Sequence, residues 1–361
     1  MSAFAELMAE GAALGAAGRS FLSQAAPYGG QVDPTLPIEE RVVKRLNLMR
    51  ANYQVNRLRA NATTLREEDW KRIDRDVIQV AMAPQVITNF LWNWNGGALR
   101  YSFDGFEATL LGRDTVSDTA PAEIGMRPSQ RTPNDRQVYS RTYIPLPFIY
   151  KDYDLDIREV RMSQKQGMPL DTSLAIDAAA QVGDFIEETV VIGKSTTMIY
   201  KSSPLYGLLD FSGTQNATIG VAWTTSGKTG AQKIDDVLTM ILASTTAKHY
   251  GPWALFIPDA WRTELSVRCY DYDSRNVQQV ILDLPGIVAC EVAPKLTANV
   301  PLLINLSPQT VQIAEGMPVA NIPWEGPAPF EDMHHKVIGM RLPRLGMDYD
   351  GNCGIVKGTC S

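Results

Sequence analysis

The stretch WTTSGKTG, Trp223 to Gly230, holds glycine, lysine and threonine in the order that a phosphate-binding loop uses. That loop, G-x-x-x-x-G-K-[ST], needs its first glycine so that backbone amides turn inward while the lysine reaches the terminal phosphates. Counting back five residues from Gly227 reaches Ala222, whose Cβ stands where the loop needs freedom at positive φ. The expected role is a polar turn before a helix. An NTPase built on residues 226–229 is the remote alternative.

The segment YIPLPFIYKDYDLD sets Asp152, Asp154 and Asp156 on one side and Tyr153, Leu155 and Ile157 on the other, the alternation of a half-buried strand. Three carboxylates at this spacing would also open a calcium loop. That reading fails, because Ile157 stands at the sixth position where the turn needs glycine, and Ser163 at the twelfth where a bidentate Glu is needed. Asp156 and Glu159 instead form a D-x-x-E capping box for a short helix that Gly167 ends.

The three histidines, His249, His334 and His335, leave little for acid–base chemistry. Asp332, His334 and His249 could meet at a metal, but their spacing matches no recognised ligand pattern. No G-x-S-x-G or H-E-x-x-H motif is present. No catalytic residue, cofactor or metal is expected. The four cysteines, Cys269, Cys290, Cys353 and Cys360, read as reduced thiols, with a local Cys353–Cys360 disulfide as the alternative.

The elements that must position these residues belong to a chain of 361 residues with 45% hydrophobic content, enough for two or three compact units. A net charge of −6 argues against wrapping nucleic acid over the whole surface. Locally the balance reverses: from Arg41 to Arg75 ten basic residues face four acidic ones, a stretch suited to a solvated helix face or a polyanion. The N-terminus has no basic region and carries Glu6 and Glu10 within its apolar stretch, so no secretion signal is expected. No apolar run approaches the ~20 residues of a spanning helix.

Along the chain, 1–40 reads as a Gly/Pro-punctuated arm, followed by a helix from Glu39 to Arg59 and an apolar run ending at Gly96 and Gly97. From Phe103 to Tyr143 helical periodicity disappears, while Phe106, Leu110, Leu111, Val116, Ile124, Met126, Val138 and Tyr139 keep spacings that suit a two-stranded ribbon. Arms of about twenty residues reach on the order of 65 Å, against a radius of gyration near ~21 Å for a compact globule of this size. Such a ribbon leaves its own body and must find its contacts on a neighbour. Next comes a helix of about twenty residues closed by Gly193. Leu174, Ala178, Val182, Phe185, Thr189 and Ile192 line one apolar face at helical spacing and Ile176, Ala180, Gly183, Ile186 and Val190 a second apolar flank, with Asp177, Gln181, Asp184 and Glu188 as the polar stripe. Residues 234–318 then alternate helix and strand, including a strand and helix in WALFIPDAWRTELSV, and the final segment returns as β ribbon to the earlier sheet.

In that order, IPLPFIYKDYDLDIREV, GMPLDTSLAIDAAAQVGDFIEETVVIGK and YGLLDF resemble the core of encapsulin shells and of the major capsid proteins of tailed bacteriophages. YGPWALFIP and the PLLIN strand are similar to that family's axial domain, and the resemblance runs through most of 100–345. It implies an α+β capsid fold with an N-terminal arm (1–40), the first part of a peripheral domain (41–102) and an extended loop (103–143). The peripheral domain continues through 144–233 with a spine helix at 172–192, is interrupted by an inserted axial domain (234–318), and returns with a C-terminal tail (319–361).

The resemblance also implies a structural protein without an active site. Many copies, as pentamers and hexamers, would close an icosahedral virion capsid around phage DNA, assembled in the host cytoplasm. Portal and decoration proteins would be further partners, with no membrane; an encapsulin-type shell around protein cargo is the alternative. Arg127, Arg131, Arg136 and Arg141 of the ribbon are expected to lie across Asp177, Asp184 and Glu188 of a neighbour, and Arg41, Lys44, Arg45, Arg50, Arg57 and Arg59 to face the DNA. A Lys–Asn crosslink occurs in the wider family, but the sequence singles out no pair.

Overall fold

The computed structural model describes residues 67–106, 108–117, 124, 126, 136–166, 172–270, 274–324 and 332–360. The expected arm and the helix from Glu39 to Arg59 lie outside them. The description starts with helix α1 (Glu67–Met82), which buries Ile73, Val77 and Ala81 at intervals of one turn. Pro84, which cannot donate to a helix, stands between α1 and α2 (Val86–Asn93). Strand β1 (Arg100–Ser102) leads to a ribbon of β2 (Leu110–Val116) and β3 (Tyr139–Pro145). Strand β4 (Ile149–Leu155), helix α3 (Ile157–Gln166) and the long helix α4 (Ser173–Val191) follow.

A small hairpin, β5 (Ile199–Tyr200) and β6 (Ser203–Pro204), precedes β7 (Gln215–Ile219) and α5 (Gly230–Thr246). The chain then runs through β8 (Trp253–Pro258), α6 (Val277–Leu282), β9 (Ile287–Ala293) and β10 (Leu302–Asn305). It ends with β11 (Val311–Trp324), β12 (Met333–Leu345) and β13 (Ile355–Cys360).

Two sheets organise these elements. The first, ordered β1-β11-β12-β4, is antiparallel except for the parallel β1–β11 pair. Helix α4 lies across β4 and β12, and α1 packs on α4. That helix contact is close: a Cβ on Gly183 would clash with the backbone oxygen of Ala81, so only glycine lets the two backbones approach. On β4 the buried Ile149, Tyr153 and Leu155 share the face covered by α4, while Tyr150, Asp152 and Asp154 point away, as the alternation predicts.

The second sheet, ordered β7-β13-β10-β8-β9, mixes parallel and antiparallel pairs. All six residues of β8 are buried, as befits a strand covered on both faces. On one side a cluster including Trp223, Ile234, Val237, Met240, Trp261 and Ile281 joins the sheet to α5 and α6. On the other, Phe256, Leu302 and Ile304 meet Ile87 and Leu91 of α2, together with Val311, Ile313 and Leu345 from the first sheet.

Strand β12 and the second half of β11 return to the first sheet as expected, but β11 already begins at Val311, inside the segment expected for the inserted domain, and β13 lies in the second sheet beside β10 and β7. The expected helix after β8 is also absent. Two short 3-10 turns, Asp259–Trp261 and Thr263–Leu265, stand there, because the segment winds only far enough to bury Trp261 and Leu265.

Candidate assembly surfaces

In the SGKT loop, Gly227 takes the left-handed φ of 91°, and Thr229 caps α5 by exchanging hydrogen bonds with Gln232 through side chain and backbone. Lys228 turns inward. Its nearly buried ammonium donates to the carbonyl of Val221 at 2.5 Å and pairs with Asp236. Asp236 also accepts from Trp223 Nε1 at 2.8 Å, and Trp223 stacks on Trp261 at 4.8 Å. The cation that a nucleotide would require is already neutralised beneath a tryptophan pair. The NTPase alternative is therefore corrected: the loop is a helix cap.

The other chemistry-bearing residues are likewise held in structural contacts. Asp154 pairs with His334 at 2.6 Å and Asp152 with Lys336 at 3.5 Å, both across the β4–β12 register. Asp156 caps α3 by accepting from the amide of Arg158 at 2.7 Å, and Asp332 accepts from the amide of Ile157 at 3.4 Å. His249 pairs with a different carboxylate, Asp348, at 2.9 Å. His335 is buried against Tyr153, its ring stacked at 5.0 Å, and burial lowers its pKa to about 4. None of the four cysteines is in a disulfide, so the alternative Cys353–Cys360 bond is not formed; burial pushes Cys290 and Cys353 up to about 12.

The ribbon differs sharply between its two ends. Its strands pair from Leu110 opposite Pro145 to Val116 opposite Tyr139. At the inner end Leu111, Ile144 and Leu146 are buried with Leu205, Ala314, Met340 and Leu342. Arg113 anchors the same end by donating to the carbonyls of Arg344 at 3.0 Å, Pro308 at 3.1 Å and Gln309. Toward the outer end Val138 is 61% exposed and Tyr139 66%, while Ile124 and Met126 are fully exposed. Arg141 reaches across the ribbon to Asp114, at 2.5 and 2.8 Å, and this hydrogen bonding holds the Asp114 carboxyl below its ordinary range. Arg141 is thus satisfied within its own chain. Arg136 is exposed. Arg127 and Arg131 lie outside the described residues, as do Arg41, Lys44, Arg45, Arg50, Arg57 and Arg59.

Helix α4 spans the predicted residues almost to the end, with Gly193 in the left-handed region at φ 83°. The core takes residues from both expected apolar flanks. Ala175, Ala178, Ala179, Val182, Ile186, Val190 and Val191 are buried, while Leu174 is 54% and Phe185 44% exposed, with Ile192 exposed just beyond. Leu174, Phe185 and Ile192 therefore form an apolar seam on the outside, edged by the acidic stripe. Within that stripe Asp184 pairs with Lys295 at 3.2 Å, and Glu188 pairs with Lys194, whose ammonium sits 5.1 Å over the Phe185 ring. Asp177 is exposed and carries no ion pair among the described residues.

Sequence reasoning missed Glu187. This carboxylate is fully buried and accepts from the amides of Ile87 at 2.7 Å and Thr88 at 3.2 Å, and from the Thr88 hydroxyl at 2.5 Å. It caps α2 from a helix a hundred residues away, and burial raises its pKa. Its phase, one turn beyond Gly183, was the available signal. A second missed surface lies on the far face of the first sheet. There Lys336 sits 4.7 Å over Tyr150 and 5.4 Å over Trp324, and His334 stacks on Trp324 at 5.4 Å.

Comparisons with known proteins bear on these surfaces. A model for a family of unknown function (DUF6260) matches residues 59–358. The type 1 encapsulin shell protein EncA of Myxococcus xanthus (strain DK1622) is 28% identical over 196 residues, which are 54% of this chain. The match spans 61% of that curated relative's length. Among solved structures, a virus-like particle from Pyrococcus furiosus aligns with a TM-score of 0.57 at 14% identity, covering 80% of this chain and 98% of the other. The capsid of Myoviridae phage XM1 aligns with a TM-score of 0.57 at 14% identity, covering 75% and 92%. The fold is the α+β fold of tailed-phage capsid proteins, as the resemblance implied.

Proposed function

We propose that this chain, which belongs to the DUF6260 family, is a structural subunit whose copies close into an icosahedral shell around phage DNA. The observation that carries this reading is the ribbon: it is anchored by Leu111, Ile144 and Arg113 at one end and exposes Val138, Tyr139, Ile124 and Met126 at the other. A hairpin with an apolar, unsupported outer end gains its stabilisation when a neighbouring copy covers it. The capsid-like fold supports the same conclusion.

In this reading 1–40 is an arm and 103–143 the extended loop. The peripheral domain is assembled from 41–102, 144–233 and 319–361, and 234–318 is the axial domain. The ribbon lies over the seam and acidic stripe of a neighbour's α4, with Arg127, Arg131, Arg136 and Arg141 toward Asp177, Asp184 and Glu188. Arg141, Asp184 and Glu188 already have partners in their own chain. Apolar burial and backbone pairing therefore supply most of the affinity, while exposed charge pairs set register at ~0–1 kcal/mol each. The basic residues between Arg41 and Arg59 face the packaged DNA, and pentamers, hexamers, a portal and decoration proteins complete the virion in the host cytoplasm.

The sequence likeness to an encapsulin shell protein favours a second reading, a compartment around protein cargo. Purified particles separate the two. Nuclease-protected DNA supports the capsid, a co-purifying protein without nucleic acid supports the compartment, and a subunit that never forms particles contradicts both.

A further inference from the structure

Helix α3 has too little of its own chain to rest on. Of its described side chains only Val160 is buried and Ile157 half-buried, while Arg158, Glu159, Arg161, Met162 and Lys165 are exposed. A ten-residue helix is marginal in water, and its stability comes from packing one face. Arg158, Arg161, Met162 and Lys165, at intervals of three, four and seven, share the outer side. The result is a basic stripe with a methionine in it, about two turns long.

The first half of α4 offers the complement. Leu174, Asp177 and Gln181 are exposed at matching helical intervals, and Phe185 continues the seam. The acidic groups in the second half are already answered by Lys295 and Lys194 within the chain. Asp177 alone of the three stripe carboxylates has no ion pair among the described residues. Met162 can sit against Leu174 while Arg158 and Lys165 approach Asp177. The α3 stripe is basic around Met162 and the start of α4 sets the acidic Asp177 beside the exposed Leu174, so the two surfaces are complementary in charge and each offers an apolar side chain.

We propose that α3 of one subunit docks against the first half of α4 of a second copy, with Arg158, Met162 and Lys165 meeting Leu174 and Asp177. The inference rests on the shell reading and names a contact within it. Because donor and acceptor stripes are different surfaces of one chain, the contact is heterologous and repeats around a closed ring. It also assigns Leu174 and Asp177 a partner other than the ribbon, which keeps Phe185 and Ile192 of the seam.

The test is a charge swap in the full chain. Arg158→Glu with Lys165→Glu, and separately Asp177→Lys, are each expected to lower the particle fraction in sedimentation about tenfold or more at low salt, since like charges then meet at every repeat. Far-ultraviolet circular dichroism of the unassembled subunits is expected to stay at the wild-type value. Combining all three substitutions is expected to restore most of the particles, which misfolding cannot explain. If wild type forms particles and the reversed variants form them equally well, or if the triple variant is no better than the worse parent, the contact is refuted while the shell stands. If wild type forms no particles, the shell reading falls and the contact with it. If a short DNA duplex shifts with wild type but not with the α3 variant while assembly is unchanged, the stripe serves a polyanion and the proposal is overturned.

Discussion

The five-stranded sheet and the ribbon are built from the same residue types yet treat them in opposite ways. Around β8 charged and aromatic groups are answered within the chain. Trp223 and Trp261 stack, Lys228 is neutralised by Asp236, and the buried Lys233 meets Glu264 at 2.6 Å. Along the ribbon the inner third is treated similarly, but beyond Val116 and Tyr139 the apolar side chains face outward. A region that satisfies itself is a folding unit; one that leaves valine, tyrosine and isoleucine uncovered is an unfinished interface. The outer seam of α4, Leu174 to Ile192, belongs to the second kind.

This contrast predicts which substitutions damage the fold and which damage only association. The largest loss of stability is expected for Trp261→Ala, about 3–5 kcal/mol, because a fully buried ring leaves a cavity beside Trp223. Chemical denaturation should show it as a lower midpoint. Lys228→Ala is expected to cost about 3 kcal/mol by leaving Asp236 poorly compensated beneath the tryptophans, and a phosphate-loop function would instead show in nucleotide turnover. Gly183→Val should cost about 1–3 kcal/mol by forcing α1 away from α4, visible in the melting temperature.

Acid gives a smaller, graded effect. His335 is kept neutral by burial, so its contribution is complete above its unfolded pKa near 6.5 and is lost as pH falls toward about 4. Glu187 works in the opposite sense, since its raised pKa favours the proton in the folded state. A net decline in stability between pH 6.5 and 4 that His335→Phe flattens would show that the histidine dominates. The smallest effect is expected for Arg141→Ala, whose exposed pair with Asp114 should leave the melting temperature unchanged. A large drop there would break the contrast, by showing that the ribbon is stabilised as a domain is.

Much of this was legible in the sequence because it depends on local rules. The spine helix was bounded by its polar start and by Gly193, and the alternation of β4 gave its inner and outer faces directly. Partnership was not legible. Leu174, Phe185 and Ile192 match the helical period of an inner face as well as any buried stripe, since periodicity marks an apolar side without saying whether it meets the chain's own core or a neighbour. Glu187 has the phase of the buried side, yet its role is set by the N-terminus of α2, far away in the chain. Strand β13 was not legible, because Ile355–Cys360 shows no clean alternation and its place in the second sheet rests on non-local pairing with β10 and β7.

Sedimentation of the full-length chain beside a Val138→Ser, Tyr139→Ser variant tests the central claim most directly. Wild type is expected to run as particles far larger than the 39.8 kDa subunit, and the variant to stay folded with an unchanged melting temperature while losing them. A wild-type chain that remains monomeric at high concentration, or a variant that assembles as well as wild type, would contradict it.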